Sequence, residues 1–152
     1  MTAREYFEGA RAAQRRIDGC LARIEAMRSR EGMRAQRYDV IGHGGGGNHD
    51  AMSMTDARID AEARMRSEMS QLAAMVEDAR EVCRGVRAAN PRSRWGDVLE
   101  LRYCDDVDWR RLASFLRISE RQAHADHDAA LNWVDLVGLA RAREGEGQAT
   151  LF

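Results

Sequence analysis

The sequence predicts an all-α protein: a long antiparallel helical hairpin of coiled-coil type, followed by a domain of three short helices. Two stretches rich in Ala, Arg, Glu and Met, which favour helices, lie before the single proline, Pro91. Only a glycine-rich segment, Ile41 to Asp50, separates them. All three tryptophans follow the proline, in short segments divided by turn signals. We therefore expect a helical region over residues 1–90 and a second domain over residues 91–139.

Apolar residues recur three or four positions apart in both long stretches, which is the a/d pattern of packed helices. In the first stretch they are Ala10, Ala13, Ile17, Cys20, Ile24 and Met27, with Leu21 beside them. In the second they are Met65, Met69, Leu72, Val76, Ala79, Cys83 and Val86. The pattern predicts helices over residues 3–37 and 56–88, the second capped by Thr55 or Asp56.

The two predicted helices differ in the sign of their excess charge. Arginines outnumber acidic residues over residues 1–40, whereas acidic residues outnumber arginines over residues 50–88. An antiparallel hairpin would pair unlike charges but would leave apolar surface exposed. We therefore expect a homodimer that forms a four-helix bundle, or a higher homo-oligomer. The alternative is that the hairpin packs on the C-terminal part of its own chain.

The glycine-rich segment predicts a loop over residues 38–54 in which the chain reverses. A phosphate-binding loop would follow a strand and usually carry a lysine, and the sequence contains no lysine. A metal site at His43 and His49 is an alternative. The permissive backbone of glycine fits a reversal between helices better.

Capping signals divide the C-terminal domain into three helices. Asp108 predicts the start of one helix and Ser119 the start of the next, with the turn "RIS" between them. We expect the following side chains to face inward: Trp95, Val98, Leu99, Tyr103, Trp109, Leu112, Ala113, Leu116, Ala123, His127, Ala130, Leu131 and Val134. Helix, three-residue turn and capped helix is the helix-turn-helix layout, whose second helix enters the major groove of double-stranded DNA.

The residues of this layout resemble a known family. The motifs are "LELRY" (Leu99 to Tyr103), "W-x-x-LA-x-x-L" (Trp109 to Leu116), "IS" (Ile118 and Ser119) and "H-x-x-AL" (His127 to Leu131). They resemble region 4 of sigma-70-family factors, and still more the C-terminal module of phage transcriptional regulators of the RinA/ArpU type. The motifs cover residues 98–134, and over residues 1–90 the similarity is one of architecture only. The resemblance implies a sequence-specific DNA-binding regulator of phage or prophage genes that contacts RNA polymerase.

The resemblance also implies roles for individual residues. The recognition helix would begin at Ser119 and read base edges with Arg121, Gln122, His124 and Ala125. Arginine suits guanine, and glutamine suits adenine. Phosphate contacts would come from arginines in and around the preceding helix: Arg110, Arg111, Arg117, Arg92 and Arg94.

Acidic residues on the recognition helix oppose this interpretation. Residues 120–135 hold one arginine against Glu120, Asp126, Asp128 and Asp135. DNA binding depends on phosphate neutralisation. Contact would then be confined to the helix start and the preceding arginines, or would need a dimer, or the module would bind protein. The rival functions are a phage small-terminase-like DNA-packaging subunit and a protein-only adaptor of the transcription machinery.

The remaining signals predict a cytoplasmic protein that is not an enzyme and holds no cofactor. No signal peptide or membrane span is visible, and Cys20, Cys83 and Cys104 form no C-x-x-C pair, so they resemble small buried hydrophobes. No catalytic nucleophile–His–acid group stands out. His124 and His127 lack further zinc ligands, so we expect no metal site and a satisfied or exposed histidine instead.

The sequence predicts a flexible C-terminal tail over residues 140–152, which ends in "QATLF". This ending resembles the peptide by which bacterial replication and repair proteins dock on the sliding clamp, with Gln148, Leu151 and Phe152 as anchors. The alternative is that a short apolar terminus packs on its own domain.

Overall fold

A computed structural model of the chain describes residues 1–41 and 48–146. Within these residues the chain forms six α-helices and no strand, which confirms the all-α prediction. The helices are α1 (Ala3–Ile41), α2 (Asn48–Ala89), α3 (Trp95–Leu99), α4 (Trp109–Leu116), α5 (Glu120–Val137) and α6 (Leu139–Glu144). A π-helical turn, Glu100–Cys104, continues α3. None of the described helices is long and apolar enough to cross a membrane.

The two long helices extend further than the sequence predicts. Helix α1 continues to Ile41, and α2 begins at Asn48. The predicted loop over residues 38–54 was therefore too wide at both ends, and the predicted cap at Thr55 or Asp56 was wrong. Residues 50–55 contain neither glycine nor proline, so nothing in them stops a helix. The predicted reversal and His43 fall on residues 42–47, outside the described part of the chain.

The chain divides into two compact units. The first, here called the terminal unit, comprises Met1–Arg15 and Leu72–Phe152, and the second, the central unit, comprises Arg16–Gln71. This division differs from the predicted boundary near residue 90. The reason is that the N-terminal part of α1 and the C-terminal part of α2 pack with the short helices. For example, the Phe7 ring lies 5.4 Å from that of Tyr103, and the Ala3 amide donates to Asp135 at 2.7 Å.

The core of the terminal unit draws on every helix of that unit. Its largest fully buried side chains include Phe7, Val82, Val86, Val98, Leu99, Tyr103, Leu112 and Val134. The predicted inward face of α5 is confirmed, because Ala123, His127, Ala130, Leu131 and Val134 are all buried. Cys83 and Cys104 are buried here as free thiols, which confirms their prediction as small hydrophobes. Cys20, in the central unit, is half-buried.

Ion pairs link α1 to α2 within the central unit. Arg28 Nε lies 2.8 Å from Glu62, whose side chain is nearly buried, and Arg58 and Arg16 pair with Glu31 and Glu68 respectively. As the residue number of the partner on α1 increases, that of the partner on α2 decreases, which is the order expected of antiparallel helices. Leu21, predicted to widen the seam, is instead 51% exposed.

Helix α6 packs against the backbone of α2 at Gly85, so the prediction of a flexible tail was wrong for residues 140–144. A Cβ atom at this position would lie 1.9 Å from the carbonyl oxygen of Ala142 and 2.5 Å from that of Arg143. Both neighbours are backbone atoms, so a side chain cannot move aside to make room. The close approach therefore requires glycine at position 85.

We expect Gly85→Ala to destabilise the terminal unit by about 1–3 kcal/mol, because α6 must move away from α2. Gly9→Ala is the matched control, since a Cβ there meets nothing within 4 Å. That change should stabilise α1 by about 0.5–1 kcal/mol through its higher helix propensity. Urea unfolding followed by circular dichroism measures both. Equal effects of the two substitutions would contradict the packing of α6 on Gly85.

Candidate nucleic-acid interface

Two capped helices and a three-residue turn form the region that the sequence predicts to bind DNA. The Asp108 carboxylate accepts the Arg111 amide at 2.8 Å and starts α4. Arg117 adopts the left-handed conformation, with φ of 58°, and ends that helix. The Ser119 hydroxyl then accepts the Gln122 amide at 3.0 Å and starts α5. Both predicted caps are confirmed.

Apolar packing holds α4 and α5 together with α3. Val98, Leu112, Ala113 and Ala123 are buried in one cluster. The Trp109 ring, at the start of α4, lies 3.9 Å from the ring of His124 and 5.0 Å from that of His127. The Arg102 guanidinium lies 4.7 Å from the centre of the same Trp109 ring, in a cation–π contact. The beginning of α4 therefore lies beside the first two turns of α5.

His127 is satisfied by hydrogen bonds on both ring nitrogens. Its Nε2 lies 2.6 Å from the Tyr103 hydroxyl, and its Nδ1 lies 3.0 Å from the Asp128 carboxylate. A neutral ring with its proton on Nδ1 fits both contacts. Burial lowers the pKa of His127, against the opposing effect of Asp128. No group of three metal-ligating side chains occurs in the described residues, and His127 has no nitrogen free for a metal.

Every residue assigned to DNA contact is exposed. The base-reading candidates on α5 are Arg121, Gln122, His124 and Ala125. The phosphate-contact candidates are Arg110, Arg111, Arg117, Arg92 and Arg94. The structure brings Arg117, Arg121 and Gln122 together around the α4–α5 turn, whereas the ring contact of His124 with Trp109 ties that histidine to α4.

Four of these arginines differ from most arginines of the terminal unit in having no acidic partner. Among the side chains that the structure describes, no carboxylate pairs with Arg92, Arg110, Arg117 or Arg121. By contrast, paired arginines of the same unit include Arg4, Arg11, Arg15, Arg80, Arg84, Arg87 and Arg143. Exposed guanidinium groups without an internal partner can bind an external anion.

Most acidic residues of α5 are engaged within the molecule. Asp126 accepts hydrogen bonds from Gln122 and Arg94, and Asp128 contacts His127. Asp135 accepts the amide of Ala3. Two of these carboxylates also have a cationic partner, since Asp126 pairs with Arg94 and Asp128 lies 3.8 Å from Arg4. Sequence reasoning missed these contacts, although the i,i+4 spacing of Gln122 and Asp126 could have indicated one.

Several predicted sites fall on parts of the chain that the structure leaves undescribed. The clamp-binding candidates Gln148, Leu151 and Phe152 lie beyond residue 146. The metal alternative at His43 and His49 depends on side chains outside the described set.

Comparisons with protein-family models, curated sequences and solved structures found no match. The resemblance to phage regulators therefore depends on the motifs of residues 98–134.

We expect the terminal unit to lose stability as the pH falls from about 7.5 to 5.5. His127 has a lower pKa when folded than the ordinary value of about 6.5, so the unfolded chain takes up its proton first. Each unit by which the pKa is lowered is worth about 1.4 kcal/mol at low pH. Urea unfolding at several pH values measures the effect.

His127→Gln should be less stable than the wild type at pH 7.5 but should depend less on pH over the same interval. His124→Gln, at an exposed position on the same helix, should retain the wild-type dependence. An unchanged slope in His127→Gln would show that another group is responsible.

Proposed function

We propose that this chain is a sequence-specific DNA-binding transcriptional regulator of phage or prophage genes, with α5 as its recognition helix. The observation that carries this proposal is that Arg117 and Arg121, at the α4–α5 turn, are exposed and pair with no carboxylate among the described side chains. The ion pairs of Asp126 with Arg94 and of Asp128 with Arg4 support it, because a paired carboxylate repels phosphates less than a free one does. The motifs of residues 98–134 supply the link to phage regulators.

The geometry of α5 fits entry into a major groove by its N-terminal end. Arg121 and Gln122 lie in the first turn of the helix, directly after the Ser119 cap. The positive end of the helix dipole lies there as well, which favours approach to phosphates. A major groove about 12 Å wide accepts one helix, and arginine and glutamine can each make two hydrogen bonds to a base edge.

Phosphate contacts would come from the arginines on either side of this helix start. Arg110 is exposed in the first turn of α4, directly after Trp109, whose ring packs on α5. Arg117 lies in the turn itself. Contacts to phosphates fix the position of the protein on the duplex without reading sequence.

We expect substitutions in these two sets to change DNA binding differently. Arg121→Ala and Gln122→Ala should each reduce the preference for the selected sequence by about 5- to 150-fold, because a base contact is lost. Arg110→Ala and Arg117→Ala should weaken binding to all duplexes and lower the slope of log affinity against log salt by about 0.9 each. Duplexes selected from a random library by the full chain serve as ligands.

Arg141→Ala is the matched control. Arg141 is exposed and lies on α6, after the far end of α5, which is about 27 Å long. It should change neither sequence preference nor salt slope by a comparable amount. Indifference to Arg121→Ala and Gln122→Ala would reject α5 as the recognition helix.

The protein-only adaptor remains the second candidate because of one feature of α4. Phe115 is 73% exposed on that helix, and an exposed aromatic side chain is typical of a protein contact. A regulator could use the same side chain to contact RNA polymerase. Failure of the full chain to retain any duplex, together with binding to RNA polymerase that Phe115→Ala abolishes, would favour the adaptor.

We further propose that the chain self-associates through the central unit. This unit exposes several large apolar side chains in its described part: Leu21, Met33, Met52, Met54 and Ile59. A second copy would cover them as a four-helix bundle. Such a dimer could present two recognition helices to half-sites about one DNA turn apart.

We expect sedimentation equilibrium to give the mass of a homodimer. Leu21→Glu combined with Ile59→Glu should shift the chain toward monomer, because charges replace apolar side chains in the contact. Ala12→Glu, at an exposed position of α1 in the terminal unit, is the control and should leave the mass unchanged. A ring of eight or more subunits would instead favour the small-terminase-like alternative.

A further inference from the structure

We propose that Asp126 is a positioning residue for sequence recognition: it orients Gln122 toward a base and keeps Arg94 from the phosphates. This inference depends on the proposed DNA-binding function. An acidic residue such as Asp126 reduces affinity for DNA. Its proposed role here is to increase specificity.

The two carboxylate oxygens of Asp126 have different partners. Oδ1 accepts a hydrogen bond from Gln122 Nε2 at 2.9 Å, and Oδ2 accepts one from Arg94 Nε at 3.1 Å. The Asp126 side chain is 14% exposed, whereas that of Arg94 is 45% exposed. A nearly buried carboxylate therefore holds two exposed side chains that the sequence assigns to DNA contact.

The contact with Asp126 restricts the side-chain amide of Gln122. The amide nitrogen carries two hydrogens, so one hydrogen bond to Asp126 leaves a second hydrogen and the carbonyl oxygen available. These are the two groups that contact N7 and N6 of adenine in the major groove. Without Asp126 the side chain must be ordered on binding, which would cost about two- to tenfold in the preference for adenine.

The contact with Asp126 also neutralises Arg94. Its Nε donates to Asp126, so the charge that could bind a phosphate has an internal partner. Removing the carboxylate frees one guanidinium and removes one negative charge from the interface. Affinity for duplexes of any sequence should then rise by about eightfold at 0.1 M salt, and the salt slope should steepen by about 0.9.

Removal of Asp126 therefore has two effects of opposite sign on binding. Affinity for random duplex increases, while the preference for the selected sequence over one with the adenine replaced decreases. A purely structural role predicts something else, namely weaker binding to every duplex together with a lower melting temperature.

The experiment uses the full chain and a duplex that it selects from a random library. Affinities are measured for the selected duplex, for the same duplex with each adenine replaced in turn, and for random duplex. The variants are Asp126→Ala, Gln122→Ala and the double substitution. Once glutamine is absent, Asp126→Ala should cause no further loss of preference at the adenine identified by Gln122→Ala.

Two further variants separate charge from positioning. Asp128→Asn removes the same charge from the same helix without contact to Gln122 or Arg94, so it should leave the preference for adenine unchanged. Asp126→Asn keeps an oxygen that accepts from Gln122 but loses the ion pair, so affinity for random duplex should rise while most of the preference remains. It also tests the inference if Asp126→Ala does not fold.

Different failures identify different errors. An unchanged adenine preference in Asp126→Ala would overturn the role of Asp126 and leave the proposed function standing. An equal loss of preference in Asp128→Asn would overturn it too, because charge would then be the cause. Failure of the wild-type chain to retain any duplex would overturn both proposals.

Discussion

The contact between Tyr103 and His127 is the interaction on which the terminal unit depends. The Tyr103 ring also packs on Phe7 of α1, and the His127 ring packs on Trp109 of α4, so one buried pair connects four elements of this unit. With His127 and Ala123 directed inward, the helical repeat directs Arg121, Gln122 and Ala125 outward. The face that could meet DNA is thus a consequence of how α5 is buried. The Ser119 cap then fixes where that face begins.

Local rules account for what the sequence could predict. The caps at Asp108 and Ser119 are hydrogen bonds to amides three residues away, and the buried face of α5 follows a helical period, so both are visible in a short window. The packing of the start of α1 and the end of α2 on the short helices could not be predicted in this way. Those contacts join parts of the chain that are distant in sequence. The same is true of Arg94 and Asp126, which are 32 residues apart. Helix α2 begins as early as Asn48, and the sequence signals this only by the lack of glycine and proline in residues 50–55. Such a lack indicates a helix only weakly.

Charge in this molecule is organised through guanidinium groups, since the chain contains no lysine. One carboxylate commonly serves two arginines: Asp106 pairs with Arg11 and Arg15, and Glu100 pairs with Arg80 and Arg87. Burial opposes these charges, yet the pKa of Glu100 and that of Asp106 lie below their ordinary values because of the arginines. A planar fork of donors favours such shared contacts over single point charges. Against this pattern, Arg117 and Arg121 at the α4–α5 turn pair with no carboxylate among the described side chains, and this contrast supports the proposed DNA contact.

The positions of the three cysteines give the chain a built-in means of following how its two units open. A thiol reagent reaches a buried sulfur only after the surrounding structure opens, so the labelling rates of Cys83 and Cys104 report opening of the terminal unit. Cys20, half-buried among the side chains of the central unit, reports on that unit separately. Cys83 lies on α2 and Cys104 in the π-helical turn, so their two rates distinguish cooperative opening from local release of the turn. The protein therefore carries its own kinetic probes, and no cysteine has to be engineered into it.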